Sequence, residues 1–483
     1  MPERGSCWQR IKHVSGMDRA IAFTLTARGV QMLGSTGTVL LIVRFLTPAE
    51  QGYYYTLLSL VALQVLFELG FAFVVLQLAA HESARLSIAP DGRISGDAMA
   101  HARLASVLQK AVRWYAFAGL MMALTLLPLG AHFFASHSQQ GMAVHWRMPW
   151  VTTVTICVLT FLLNPVFSFL EGCGQVPQVA RMRMWQSLTG TGLAWSAMIL
   201  HHGLFSPAMV LLGNAAVGLL FIRGRRALLG PLLRYPAGAN SIAWNREVWP
   251  FQWRIAFTWM GTYFTAQVFM PILFVYRGPV EAGQMGLSLS ITGYLTALVL
   301  SWMHTKAAPF GQLVAQRKYP QLDRLFFRTL KQSGAILLAG IAGFLAVVFA
   351  LQYLYPRLAH RMLSPPLFAL LFATGFSNYL MQSEAIYLRA FKREPFLLLS
   401  LIVGSLTVSS ALLLVQRWGV AGVSLGYFIS SGVVGLIIAT TIFRKWRMGQ
   451  VSRSGAGFYQ PNWPVEPPIA QQPTLAPSSE SAL

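Results

Sequence analysis

The chain is 483 residues long, 55% hydrophobic and only 11% charged, with Lys and Arg outnumbering Asp and Glu by 37 to 15. Soluble domains carry about 25% charged residues and do not string together about a dozen apolar runs of spanning length, as this sequence does at a mean hydropathy of +0.53. A soluble enzyme, a disordered basic chain and a nucleic-acid-binding domain are thereby excluded, leaving a polytopic membrane protein whose net charge of +22 needs a reason.

In chain order, residues 1–19 carry Arg4, Arg10, Lys12 and Arg19 and read as a cytoplasmic N-terminus. The apolar run that follows is too long for the core of a cleaved signal peptide, so it reads as a first span. Twelve spans are predicted, at about 20–44, 52–79, 113–135, 150–171, 184–202, 206–222, 250–276, 284–304, 332–354, 366–388, 396–416 and 420–443. They divide into an N-terminal half over 20–222 and a C-terminal half over 250–445, joined by a cytoplasmic linker over 223–249. Residues 446–483 hold six Pro and few apolar residues, the composition of a disordered tail.

An even number of spans puts both termini on one side, and the basic residues decide which. Of the 37 Lys and Arg, 29 fall on the terminal segments and the loops of one side, and five (Arg147, Arg277, Arg357, Arg361 and Arg417) fall on the other. The positive-inside rule then places both termini in the cytoplasm, with the chain in a bacterial inner membrane. Trp146, Trp150, Trp249 and Tyr53 to Tyr55 stand near span ends, as interfacial aromatics do. Cys7, Cys157, Cys173 and the ten His show no ligand spacing, so neither a metal nor another cofactor is expected. The outer loops are too short for an external catalytic domain, and no phosphate-binding G-x-x-x-x-G-K-[ST] or nucleophile G-x-S-x-G occurs, so no enzyme is expected.

The two halves repeat one another. Pro48-Ala-Glu50-Gln-Gly52 between spans 1 and 2 matches Pro279-Val-Glu281-Ala-Gly283 between spans 7 and 8 at an offset of 231. Leu170 to Pro177 after span 4 matches Leu388 to Pro395 after span 10 at 218, and Val217-Gly-Leu-Leu220 matches Val434-Gly-Leu-Ile437 at 217. Span n pairs with span n+6 in order, which predicts an all-α protein of two six-helix bundles related by a pseudo-twofold axis along the membrane normal.

The stretch Val43-Arg-Phe-Leu-Thr-Pro-Ala-Glu-Gln-Gly-Tyr-Tyr-Tyr55, with Phe67-Glu-Leu-Gly-Phe71 in span 2, resembles bacterial oligosaccharide flippases. These are the polysaccharide-export members of the superfamily that also holds multidrug and toxin extruders. The resemblance is motif-level over residues 28–80 and extends as a twelve-span layout over 20–445. It implies a V-shaped pair of bundles around a central cleft, and movement of an undecaprenyl-diphosphate-linked oligosaccharide between leaflets.

Ionisable residues within spans are costly and default to functional candidates. Arg28 lies roughly 12 Å into span 1 and Glu68 roughly 16 Å into span 2 from the same membrane face, at 1.5 Å per residue, so the two can pair. Thr24, Arg28, Gln31, Ser35 and Thr38 form one polar stripe down span 1, and Arg254, Thr258, Thr262 and Thr265 form another down span 7. Such stripes either line a wet cleft or glue helices together. An Arg in each favours the cleft, where guanidinium suits a diphosphate and Thr, Gln and Asn suit sugar hydroxyls. Asn164 and Gln382, equivalent at the 218 offset, are further cleft candidates, and Pro165 and Pro271 are candidate bends. Glu384, Arg389 and Lys306, near inner span ends, are expected to reach the interface. A flippase for lipid-linked oligosaccharide is the leading expectation, with that lipid, the bilayer and other glycan-assembly membrane proteins as partners and no nucleic acid. A drug or cation antiporter on the same scaffold and a membrane glycan polymerase or ligase are the alternatives.

Overall fold

The computed structural model describes residues 34–88, 94–137, 144–236, 242, 248–391 and 396–455, without certain side chains, those of Arg254, Thr258 and Thr262 among them. Within these residues, helices stand at every predicted span. In the N-terminal half they are α1 (Gly34–Phe45), α2 (Pro48–Val61), α3 (Phe71–Ser83), α4 (Ala98–His137), α5 (Arg147–Gly172), α6 (Val176–Ile199) and α7 (Ser206–Arg223). The linker contributes α8 (Arg226–Arg234). The C-terminal half comprises α9 (Trp249–Ala266), α10 (Phe269–Arg277), α11 (Pro279–His304), α12 (Ala307–Ala315), α13 (Tyr319–Leu354), α14 (Pro365–Arg389), α15 (Leu397–Tyr427) and α16 (Leu436–Gly455). A short antiparallel pair, Leu86–Ile88 with Ile94–Gly96, separates α3 from α4.

Two spans are broken. Span 2 runs from α2 through Ala62–Gln64 and Val65–Glu68, then turns at Leu69 (φ 51) and Gly70 (φ 66) into α3, a bend of 43°. Span 7 breaks between α9 and α10. Pro271 has no N–H to give the carbonyl of Gln267, four residues back, and the Ser59 hydroxyl of α2 donates to that carbonyl instead. Spans 11 and 12 form a hairpin about Gly419 (φ 56), where Gly422 abuts Leu414, Gly426 abuts Ser410 and the Thr407 and Ser430 hydroxyls lie 2.9 Å apart. A π-helical segment, Phe428–Gly435, then leads into α16. That helix continues ten residues beyond the expected start of the tail, to Gly455.

Contacts between connections sort them into two ends. At one end, Arg361 (loop 9–10) reaches the carbonyls of Val43 and Leu46 at the end of span 1, and Arg277 (loop 7–8) reaches those of Val415 and Gln416 at the end of span 11. At the other end Arg103 pairs with Glu82 at 2.8 Å, Arg447 with Asp323 at 2.8 Å, and Arg225 donates to Gln175 at 2.5 Å. The second end carries the basic loops; it is called inner below, and the first end outer. The amphipathic α8 lies on the inner extension of α4, burying Leu228, Leu229 and Leu232. Gln109 of α4 donates to the carbonyls of Leu232 and Tyr235, at 3.0 and 2.7 Å.

Candidate functional site

The P-x-E-x-G repeats meet each other. Thr47 caps α2 in a capping box: its Oγ1 accepts from the Glu50 N–H at 3.2 Å, and Glu50 Oε2 accepts from the Thr47 N–H at 2.8 Å. In the second copy Gly278 (φ 88) precedes Pro279, and Glu281 accepts instead from the Val420 N–H at 3.1 Å, across to span 12. The two helices so started, α2 and α11, pack side by side with Gly52 against Pro279 and Gly283, and Tyr55 against Gly286. Gly52 with Gly283 and Tyr55 with Gly286 are each 231 apart, so the seam between the halves runs along the pseudo-twofold axis.

Outer contacts close this seam. Gln51, 1% exposed, donates to the carbonyls of Gly283 and Arg361 at 2.9 and 3.0 Å. Arg361 returns a bond to Gln51 Oε1 at 3.3 Å and also donates to the carbonyls of Leu46 and Val43, at the negative end of α1. Burial pulls the Arg361 guanidinium down from its ordinary value and the Glu50 carboxylate pushes it back up. Beside this clasp Tyr53 and Phe134 of the N-terminal half pack on Phe274 of the C-terminal half, Tyr53 and Phe274 edge-on at 4.9 Å, with Trp150 against Phe134, all four rings fully or nearly fully buried.

Inward of the seal lies a cavity of about 780 Å³ between α1, α2, α5, α6 and α7, bordered by Tyr294 of α11. It spans the depth from Val176 to Thr191 on α6, about 22 Å at 1.5 Å per residue. Ser35 and Thr38, the two described members of the predicted span 1 stripe, line it. Ser35 hydrogen-bonds Tyr294, and Thr38 accepts from the Trp195 indole at 2.9 Å. Facing them are Gln186, Ser187, Thr191 and Asn214, with Arg183 and Glu171 at the inner mouth. None of these six was among the expected site residues. Arg183, Ser187 and Thr191 recur at spacings of four, the same stripe signal that singled out span 1.

Thr24, Arg28 and Gln31 lie outside the described residues, as do the side chains of Arg254, Thr258 and Thr262. The expected Arg28–Glu68 pair therefore involves a residue outside the described ones; among the described residues Glu68 Oε1 accepts from Tyr115 at 3.1 Å and Asn164 at 2.9 Å. Asn164 thus faces Glu68 inside the bundle rather than the cavity. The cluster sits at the αL break in span 2, one turn from Gln64, which lines the cavity and accepts from the Cys157 thiol at 3.0 Å. Gln382, the equivalent of Asn164 at the 218 offset, is exposed. A buried amide in span 10 stands one turn earlier, where Asn378 donates to Tyr427 at 3.0 Å and accepts from Ser431 at 2.9 Å. Glu384 does not reach the interface: it is 8% exposed and accepts from Thr440 at 3.0 Å.

Each half thus contains one broken span, span 2 in the first and span 7 in the second, and the cavity lies beside the seam between them. Among solved structures the chain is similar to the lipid II flippase MurJ in an inward closed conformation, 13% identical with a TM-score of 0.59 over 91% of this chain and 94% of that one. It is also similar to a multidrug resistance MATE family transporter of the MOP superfamily. The inward-facing form is 16% identical, TM-score 0.52, covering 86% of this chain and 99% of that one. The outward-facing form is 15% identical, TM-score 0.51, covering 93% and 100%. The chain has the fold of these transporters. No family model and no curated protein matches it. The twelve-span, two-bundle architecture read from the repeat is therefore the architecture of the molecule.

Proposed function

We propose that this protein is a flippase that moves an undecaprenyl-diphosphate-linked oligosaccharide from the cytoplasmic to the periplasmic leaflet of a bacterial inner membrane, for surface polysaccharide or lipopolysaccharide synthesis. The observation that carries the reading is the membrane-deep cavity, lined by hydroxyl and amide side chains and reaching the inner end at Arg183, beside a seam whose outer end is sealed. A glycan headgroup entering from the inner side finds hydroxyl and amide partners in Ser35, Gln186 and Asn214, while its lipid tail stays in the bilayer. Arg28 and Arg254, on the polar faces of spans 1 and 7, are proposed to hold the diphosphate, with Gln31, Thr24, Thr258 and Thr262 beside them. Opening the Gly52–Gly283 seam while the inner ends approach would then present the headgroup to the outer side.

The decisive test is where lipid-linked glycan collects when the gene is deleted. Accumulation in the cytoplasmic leaflet is expected; accumulation in the periplasmic leaflet would reassign the protein to polymerisation or ligation. Arg28→Ala should abolish surface glycan at normal protein level and Arg28→Lys retain part of it, whereas full activity of the Ala variant would remove Arg28 from diphosphate binding. A cation antiporter is the second reading, favoured by Glu68, a membrane carboxylate whose described partners are neutral. Loss of transport in Glu68→Gln together with proton or sodium counterflow in the wild type would support it.

A further inference from the structure

Among the described residues, two charged side chains line the cavity, Glu171 and Arg183, and they are paired at its inner mouth, Arg183 Nη2 to Glu171 Oε1 at 3.1 Å. The turn between α5 and α6 holds them in place: Gly174 takes φ 81, and the Gln175 N–H closes back on the Leu170 carbonyl at 3.0 Å. The pair is lopsided. The Glu171 side chain is 16% exposed and the Arg183 side chain 54% exposed. The carboxylate engages one guanidinium nitrogen, and the described residues give the others no partner.

We propose that Glu171 is a built-in counter-ion that occupies Arg183 while the cavity is empty, and that an incoming diphosphate displaces it. The inference rests on the flippase reading above and deepens it. A guanidinium left alone at the mouth of a membrane cavity carries an uncompensated charge, and a monodentate carboxylate relieves it. A diphosphate carries more charge and can engage the planar fork with two parallel bonds, so it outcompetes that carboxylate. A sugar or an apolar drug has nothing with which to break the pair. The Glu171–Arg183 contact therefore admits polyanionic headgroups and keeps neutral ones out of register.

Equilibrium binding of radiolabelled undecaprenyl diphosphate and of inorganic pyrophosphate to the purified full chain tests the exchange. Glu171→Gln should tighten both about fivefold, the strength of one partly exposed ion pair, and Arg183→Gln should weaken both at least tenfold. The double variant should bind no more tightly than Arg183→Gln alone; a double variant that keeps the gain overturns the exchange. Unchanged or weaker binding in Glu171→Gln, at a thermal midpoint close to that of the wild type, also overturns it and leaves the flippase reading standing. Equal competition by phosphatidylglycerol vesicles overturns the assignment to a diphosphate in favour of bulk lipid headgroups. If no diphosphate binds the wild type, and tetraphenylphosphonium binds it but not Glu171→Gln, the flippase reading itself fails.

Discussion

Gly52 and Gly283 stand where the two halves come closest, and neither tolerates a side chain. A Cβ on Gly52 would lie 1.9 Å from the Pro279 carbonyl oxygen, and one on Gly283 would lie 2.8 Å from the Gly52 nitrogen. Backbone atoms cannot swing aside as a side chain can, so Gly52→Ala should cost at least the ~1–3 kcal/mol typical of overpacking. A lower midpoint of thermal unfolding in detergent checks this. Arg361 makes a different contribution, because it holds three elements through hydrogen bonds alone. Arg361→Ala removes the clasp without a clash. Pulsed electron paramagnetic resonance between spin labels on exposed Arg44→Cys and Arg357→Cys should then give a longer, broader distance distribution; an unchanged one would mean the aromatic seal suffices. The sequence repeat singled out both glycines, but a P-x-E-x-G turn by itself speaks only of a local, tight helix start. That one copy of the motif packs on the other is a long-range fact, to which turn chemistry is blind. Glu68 shows the same limit. Depth along a helix offers Arg28, which lies outside the described residues, as one partner; the partners Tyr115 and Asn164 come from spans 3 and 4, and nothing in a one-dimensional count of depth says which helices are neighbours.

At the scale of elements, the spans were legible because a bilayer imposes a length and an apolarity that few other structures require. Their breaks were less so. Pro271 marks the bend in span 7, but the sequence alone does not say that the Gln267 carbonyl it frees is taken up by Ser59 of the opposite half. Replacing Pro271 with Ala restores the missing N–H, lets α9 and α10 join and releases Ser59. The variant is expected to unfold at a higher temperature while transporting more slowly, which thermal melting and a leaflet-resolved glycan assay together would show; a faster transporter would remove the break from the mechanism. Span 2 breaks without Pro, at Leu69 in a left-handed conformation that costs a residue with a Cβ roughly 1–2 kcal/mol. A hydrophobic plot reads straight through Phe67-Glu-Leu-Gly-Phe71 because every residue but Glu68 suits an apolar helix. The polar stripe on span 5 was readable by the rule used for span 1, but it contains no intramembrane charge far from an end, and so drew no notice.

Across the whole molecule, the distribution of charge and the repeat agree with the contacts: loops poor in Lys and Arg touch one another at the outer end, and basic ones touch at the inner end. The net charge of +22 is thus mostly an address for one membrane face rather than an affinity for a partner. The mooring of the linker bears on how the halves move. Ile242, 1% exposed, is pinned to α4 of the N-terminal body through its N–H to Ser106 Oγ at 3.1 Å and its carbonyl to Lys110. The C-terminal body begins at Val248, 2% exposed, just before α9. Six peptide units separate the two anchors, and a fully extended chain covers at most about 3.6 Å per residue, so this leash spans no more than about 22 Å. It sets a ceiling on how far the two bodies can part at the inner end, and with it on the girth of cargo that can pass between them. Inserting a flexible stretch between residues 243 and 247 should let the protein accept branched or longer headgroups that the unaltered chain turns away. On the flippase reading proposed above, the linker would act as a gauge for cargo size, set by residue count rather than by any contact with the cargo.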